Sequence, residues 1–497
     1  MVVPQAIKRN DQATVLPELA PQPFKWSTVS LTEVLGAGGR LEASVFNIEG
    51  RQARETLHRC KWPVKSLLKD FLTSAYYPGR FKRSYIKNND SGAVGFIGSS
   101  EMLAINPEPV KFMVHNHELA VSEGQILLSR SGTIGNVTYI SKTLSNFLVS
   151  EHAIRLNCKD KPGYVYAYLR THTGRLLVET NTYGAVVSQV EPEHLTEVHI
   201  PDPSPILKQQ IHDFIMASFR LRDESNALMN EAQKLLKAAL KLPDIDDIKP
   251  KYFDSSADLR NYSVSLSCLD GRLEASYHLP IVDSIQRLLA ANAKEVVTVG
   301  DSRVSKAIIL PGRFKRVYVE EGQGVTFFGG KQILELDPST KKYLSSKQHG
   351  KRITEQLTIL ENTILVTRSG TIGKINIAPK HWKGWIPNEH IIRVIPANAS
   401  IAGYTYAWLA SDYAYPLIHR FTYGAVVDEI DDFHVAAVPF PFLQDTNIQK
   451  TINDKVLEAN RKRFEAYELE QKALKIMDEK VIFAEGAGAY NDKSPMP

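Results

Sequence analysis

The sequence predicts an α+β fold of two homologous domains in tandem, each closed by a long helix, the two helices pairing as an antiparallel coiled coil. Three observations predict it. Short motifs recur in the same order in both halves, brief apolar runs end in Ser-Gly-Thr turns, and each half finishes in a helical stretch.

The bounds agree with this. A chain of 497 residues is too long for one ordinary domain. Its 43% hydrophobic and 23% charged residues are those of a globular protein. No run reaches the ~18 to 20 apolar residues that span a bilayer, so no membrane partner is expected. The first residues lack a secretory apolar core. Cys60, Cys158 and Cys268 are scattered, without a CxxC pair, which argues against disulfides and a structural zinc and fits a cytoplasmic location. The net charge of +5 permits a polyanionic partner without requiring one.

The repeat is read before any secondary structure. Gly39-Arg40-Leu41-Glu42-Ala43-Ser44 returns as Gly271 to Ser276, and Pro78-Gly79-Arg80-Phe81-Lys82-Arg83 as Pro311 to Arg316, at offsets of 232 and 233. Arg130 to Gly135 (Arg-Ser-Gly-Thr-Ile-Gly) returns at Arg368, and Glu151-His152 at Glu389-His390, both at 238. Gly163 to Leu169 and Thr182 to Val187 return at Gly403 and Thr422, both at 240. The drift confines insertions to the middle of each half. A solenoid would show many repeats of ~20 to 50 residues; this is one domain duplicated.

The elements follow in order. The expected organisation is an extension over 1–30, a first domain over 31–205, a helix over 206–242 and a linker over 243–262. A second domain over 263–445, a helix over 446–482 and a tail over 483–497 complete it. Residues 125–130 and 363–368 read as buried strands running into turns, with return strands at 137–140 and 375–378. Residues 163–169 and 403–409 read as short helices with aromatic faces. In the first long helix Ile211, Phe214, Ser218, Leu221, Ser225, Leu228, Ala232, Leu235, Ala239 and Leu242 alternate spacings of three and four, the mark of a coiled-coil seam. Pro243 and Pro250 are expected to end it. The second seam, Ile452, Val456, Ala459, Ala466, Leu469, Ala473 and Ile476, is less regular.

Several repeated motifs carry chemistry of their own. Arg130, Ser131 and Thr133, with Arg368, Ser369 and Thr371, place a guanidinium, hydroxyls and backbone N–H groups at a strand end. That set suits a phosphate or a guanine edge; a hairpin with a structural arginine is the alternative. Arg80, Lys82 and Arg83, with Arg313, Lys315 and Arg316, surround a phenylalanine with cations, as nucleic-acid surfaces do; a solvated basic loop is the alternative. Tyr183 and Tyr423 precede a glycine and suit stacking at a surface, or a structural turn. Glu151-His152 and Glu389-His390 have no third ligand at a metal-site spacing and read as satisfied strand residues. No methyltransferase Asn/Asp-Pro-Pro-Tyr motif, Walker A loop or nuclease pattern is present, so no catalytic residue, metal or cofactor is expected in this chain.

Across about 31–480 the order of these motifs resembles the type I restriction–modification specificity subunits. The carrying residues are Gly-Arg-Leu-Glu-Ala-Ser at the start of each half, Arg-Ser-Gly-Thr-Ile-Gly after a strand, and the terminal helices. The resemblance implies two tandem target-recognition domains, each reading half of a bipartite site on double-stranded DNA. It implies that the helices set the gap and dock DNA methyltransferase subunits, two of them, which hold S-adenosylmethionine and methylate adenine. A restriction or translocase subunit joins such complexes, and related phage-defence systems use similar subunits. The rival readings are an adaptor with two protein-binding domains and an enzyme built on the Glu-His pairs.

Overall fold

The computed structural model describes residues 28–36, 39, 46–182, 188–248, 262–338, 340–424 and 426–484. The expected extension, Arg40 to Ser44 of the first Gly-Arg-Leu-Glu-Ala-Ser copy, the linker with Pro250 and the tail fall largely outside these residues. None of the described helices is long and apolar enough to cross a membrane.

The first half runs α1 (Ile48–Arg59), β1 (Val64–Ser66), β2 (Leu72–Tyr76), β3 (Ala93–Ile97), β4 (Lys111–Val114), β5 (Ile126–Ser129), β6 (Val137–Tyr139), β7 (Leu148–Val149) and β8 (Ala153–Cys158). It continues through α2 (Pro162–Arg170), α3 (His172–Thr180), β9 (His199–Pro201) and α4 (Pro205–Ala239). The second runs α5 (Pro280–Asn292), β10 (Glu295–Thr298), β11 (Ser305–Ile309), β12 (Tyr318–Val319), β13 (Gly324–Phe328), β14 (Lys342–Ser345), β15 (Ile364–Thr367), β16 (Ile375–Ile377), β17 (Ile386–Pro387) and β18 (Ile391–Pro396). It closes with α6 (Ala399–Leu409), α7 (Ala414–His419), β19 (Pro439–Phe442) and α8 (Thr446–Ile476).

The sheets repeat as the sequence does. The order β2-β8-β5-β6 recurs as β11-β18-β15-β16, and the pair β1-β9 as β10-β19. A second sheet, β4-β3-β7, recurs as β14-β13-β17 with β12 added at its edge, and β3–β7 and β13–β17 are both parallel. The edge strands β2 and β11 each carry a register shift against their partners.

The central strands explain why their runs are apolar throughout. Ile126 and Leu128 of β5 face a core with α2 and α3, while Leu127 faces a second core with Ile97 and Met102. In β15, Ile364 and Val366 serve one core and Leu365 the other. A strand covered on both faces has no polar side to alternate with. Behind this sheet α2 and α6 lie against the long helices, so closely that Gly403 is required: a Cβ there would stand 2.3 Å from the carbonyl oxygen of Asn453. The Gly403 N–H donates to Asn453 Oδ1 at 2.8 Å, as Gly163 donates to His212 Nδ1 at 3.1 Å.

The long helices pack side by side. Ser218 Oγ donates to the carbonyl of Ala466 at 2.7 Å, Arg463 Nε to Ser225 Oγ at 2.9 Å, and Lys455 pairs with Glu231 at 2.9 Å. Partners descend along one helix as they ascend along the other. The α4 seam differs from the expected one. Ile211, Ile215, Ser218, Ser225, Met229, Ala232 and Leu236 are buried, with Arg222 filling the missing step. Phe214, Leu228 and Leu235 pack instead against the cores of the domains. The α4 helix also stops before its prolines: Leu240 caps it and Lys241 turns left-handed at φ 49°.

Each long helix serves both halves. Met229, Ala232 and Leu236 of α4 lie in the core of the second half, and Ala473, Ile476 and Met477 after α8 in the core of the first. The halves also touch directly. Ile105 N–H donates to the Leu334 carbonyl at 2.9 Å, and Lys374 pairs with Glu108 at 2.9 Å.

Candidate nucleic-acid interface

Four repeated motifs, far apart in sequence, meet at one place in the second half, and three of them meet at the corresponding place in the first. In the second half Arg368 ends β15 and turns its guanidinium inward. Its Nη2 donates to Glu429 Oε2 at 2.8 Å, Asp431 Oδ1 at 2.9 Å and the Tyr423 hydroxyl at 3.2 Å, and its Nε to the Ile430 carbonyl at 2.9 Å. In the first half Arg130 donates to Gln189 Oε1 at 3.0 Å, to Glu191 and to the Val190 carbonyl, and its guanidinium lies 3.9 Å from the Tyr77 ring centre. These two arginines are only 4% and 9% exposed. Of the two readings of the strand-end guanidinium, phosphate or guanine contact and structural arginine, the burial fits the second: the neighbouring acceptors draw the guanidiniums in, and they tie the strand end to the segment after Thr-Tyr-Gly-Ala-Val-Val.

The Glu-His pairs complete the junction. Arg83 Nη2 donates to Glu151 Oε1 at 2.7 Å, and Arg316 to Glu389. The next residue faces the turn: Ser131 Oγ lies 2.9 Å from His152 Nδ1, and Ser369 Oγ 2.7 Å from His390 Nδ1. The other ring nitrogen is 3.7 Å from the glutamate in both copies. Burial raises the Glu151 carboxyl, but backbone donation and Arg83 outweigh that and leave it below the usual carboxylate range. Arg155 and Arg393 are fully buried and bond backbone carbonyls, Arg155 those of Ser150 and Ala153 at 2.9 and 2.7 Å, and Arg393 that of Thr358 at 3.2 Å. Burial lowers both guanidiniums to about 10.

Around this buried frame the remaining groups face outward. Arg80, Lys82, Thr133, Lys315 and Thr371 are exposed, and Ser131 and Ser369 half-buried. Arg313 is 70% exposed along its side chain and lies 3.3 Å from Glu429. Tyr423 is 37% exposed and donates to Asp431 Oδ2 at 2.6 Å; Tyr183 lies outside the described residues. Sequence reading missed the acceptors Gln189, Glu191, Glu429 and Asp431. The available signal was an acidic residue repeated at 191 and 431, after an apolar one at 190 and 430. No group of three or more His, Cys, Asp or Glu among the described residues is placed to hold a metal.

Residues 61–234, covering the first-half copy of this junction and most of α4, match the family model of the type I restriction modification DNA specificity domain. This segment is similar to that domain. No curated protein matches the chain. Among solved structures, the type I restriction-modification S subunit from M. genitalium is 12% identical, with 86% of this chain and 96% of that one covered at a TM-score of 0.32. The HsdS subunit from Thermoanaerobacter tengcongensis is 14% identical, with 85% and 97% covered at 0.26. A structure concerning complex assembly and conformational transition of the type I R-M system is 15% identical, with 84% and 97% covered at 0.27. Within the matched segment the repeated motifs supply the junction, while Ile86 to Gly95 and their neighbours differ from the second half.

Proposed function

We propose that this chain is the non-catalytic specificity subunit of a DNA-modifying complex, its two halves acting as tandem target-recognition domains on one bipartite DNA site. The observation that carries the reading is the duplicated junction: one specificity domain is matched outright, and the second half rebuilds the same motifs on the same strand order. Arg80, Lys82, Arg313 and Lys315 approach phosphates, with Thr133 and Thr371 beside them, and the buried Arg130 and Arg368 hold the turn that presents them. Ser131 and Ser369 orient the histidines, and Tyr423 braces the junction, with Tyr183 as a further DNA-facing candidate. The antiparallel helix pair is the spacer between half-sites. It also offers docking faces for two methyltransferase subunits, which carry S-adenosylmethionine and methylate adenine, with a restriction or translocase subunit joining them in a restriction system.

Footprinting of the full chain on DNA selected from a random pool tests this. Two short protected blocks separated by an unprotected gap are expected. Continuous protection, or no selection of sequence at all, overturns the reading.

A further inference from the structure

Identity between the two halves carries information when the residues are exposed. Buried identities, such as Arg130 and Arg368, follow from packing. Exposed identities, such as Lys82 and Lys315, must meet something common to both half-sites, and phosphates are common to every sequence. Residues that distinguish one half-site from another must therefore lie where the halves differ. They differ most between the basic loop and β5 or β15, where the offset rises from 233 to 238 and the second half gains five residues.

That segment forms a helix in the second half, Ser346–Arg352, capped by Ser345, whose hydroxyl accepts from Gln348 N–H. It is seated on the basic loop. Arg352 Nη2 donates to the Gly312 carbonyl at 2.6 Å, and its guanidinium lies 4.5 Å from the Phe314 ring centre. His349 accepts from Val317 N–H at 3.1 Å and meets Phe314 edge-on. With that face held, Lys347, Gln348 and Lys351 point to solvent. The two lysines, one turn apart, form no ion pair among the described residues. In the first half the corresponding stretch between β4 and β5 forms no helix and carries His115, Asn116 and His117 instead.

We propose that the helix Ser346–Arg352 reads base edges of the second half-site, with Lys347, Gln348 and Lys351 as the contacting side chains. The inference rests on the DNA-binding reading above. Lysine suits the guanine O6/N7 edge and glutamine the adenine N6/N7 edge in the major groove. The adjoining Arg313 and Lys315 anchor the backbone beside them.

The test selects duplexes from a random library with the full chain and with the triple variant Lys347→Ala, Gln348→Ala, Lys351→Ala. All three side chains are exposed, so a matching thermal melt is expected. In the variant one block should lose roughly tenfold to a hundredfold of discrimination at one or more positions, with the other block unchanged. Lys315→Gln, the comparison variant, should weaken all sequences alike. Two unaltered blocks in the triple variant overturn the inference while leaving the function standing. A parent chain that selects nothing overturns the DNA-binding reading and this inference with it.

Discussion

At the scale of the residue, the repeated motifs separate into those that build the junction and those that face outward. Chemistry alone does not show which is which, because a guanidinium suits a phosphate and a carboxylate equally. The residue types at the site were legible in the sequence, but the direction of Arg130 and Arg368 depended on acceptors some 60 positions away. Arg368→Ala would remove the buried cation that Glu429 and Asp431 share, and Arg130→Ala the buried cation beside Glu191. A fully buried pair broken this way costs about 3 to 5 kcal/mol. These carboxylates are about one-fifth exposed, so about 2 kcal/mol is expected. A denaturant midpoint that falls at constant m-value would confirm it, whereas unchanged stability with abolished DNA binding would restore the direct-contact role. The outward cations predict a different outcome. Glu429 lies beside Arg313, but Gln189 holds the equivalent position in the first half. Neutralising Arg80 and Lys82 should therefore flatten the dependence of DNA affinity on salt more than neutralising Arg313 and Lys315. Removing one cation–phosphate pairing lowers the slope by about one; equal slopes for the two variants would refute the asymmetry.

At the scale of the element, strands and helices were legible where hydrophobicity has one cause. The runs at β5 and β15 stood out because both faces are covered. The α4 seam was legible at Ile211, Ser218, Ser225 and Ala232 but read one residue early at every second position, where Ile215, Arg222, Met229 and Leu236 lie in place of Phe214, Leu221, Leu228 and Leu235. The apolar Phe214, Leu228 and Leu235 drew the pattern one row aside, toward the domains they pack on. Glu470 shows how such a seam is satisfied. Its carboxylate accepts from Tyr166 at 2.8 Å, Arg170 at 3.2 Å and Arg222. Burial raises its pKa, but Arg222 and Arg170 outweigh burial and hold it at about 2. A carboxyl depressed in this way stabilises the fold above its ordinary value near 4.5, and that contribution is lost as pH falls toward 2. Glu470→Ala should cost about 3 to 5 kcal/mol near neutral pH by leaving the Arg222 guanidinium uncompensated and Arg170 with Asp337 alone. Its stability should also fall less steeply than the parent's between pH 4.5 and 2. Parallel pH curves would show that the carboxylate is not the group that matters.

At the scale of the whole molecule, the helix pair joins the domains by interleaving rather than by tethering. The end of α4 lies in the core of the second half and the end of α8 in that of the first, and Ile105–Leu334 and Glu108–Lys374 join the domains directly. Lengthening one helix therefore does not lengthen the molecule. Four residues inserted near Ala238 would fall between Leu236 and Leu240, both in the second core, and should destabilise it with the gap unmoved. Lengthening needs insertions in both helices between the places where each packs on the two domains, after Ala227 in α4 and, in α8, between Tyr467, which stacks on His381 of the second half, and Glu470, which accepts from Tyr166 of the first. Four residues in each add ~6 Å of rise and ~40° beyond a full turn. DNA advances ~3.4 Å and ~36° per base pair in the same right-handed sense. The paired insertion therefore approximates one or two base pairs in both distance and rotation, provided the direct contacts between the domains part. Selection from a random-gap library should move the preferred gap by one or two base pairs and leave both blocks unchanged. A folded double-insertion variant that kept the parental gap would show that the contacts between the domains, not the helices, set the distance.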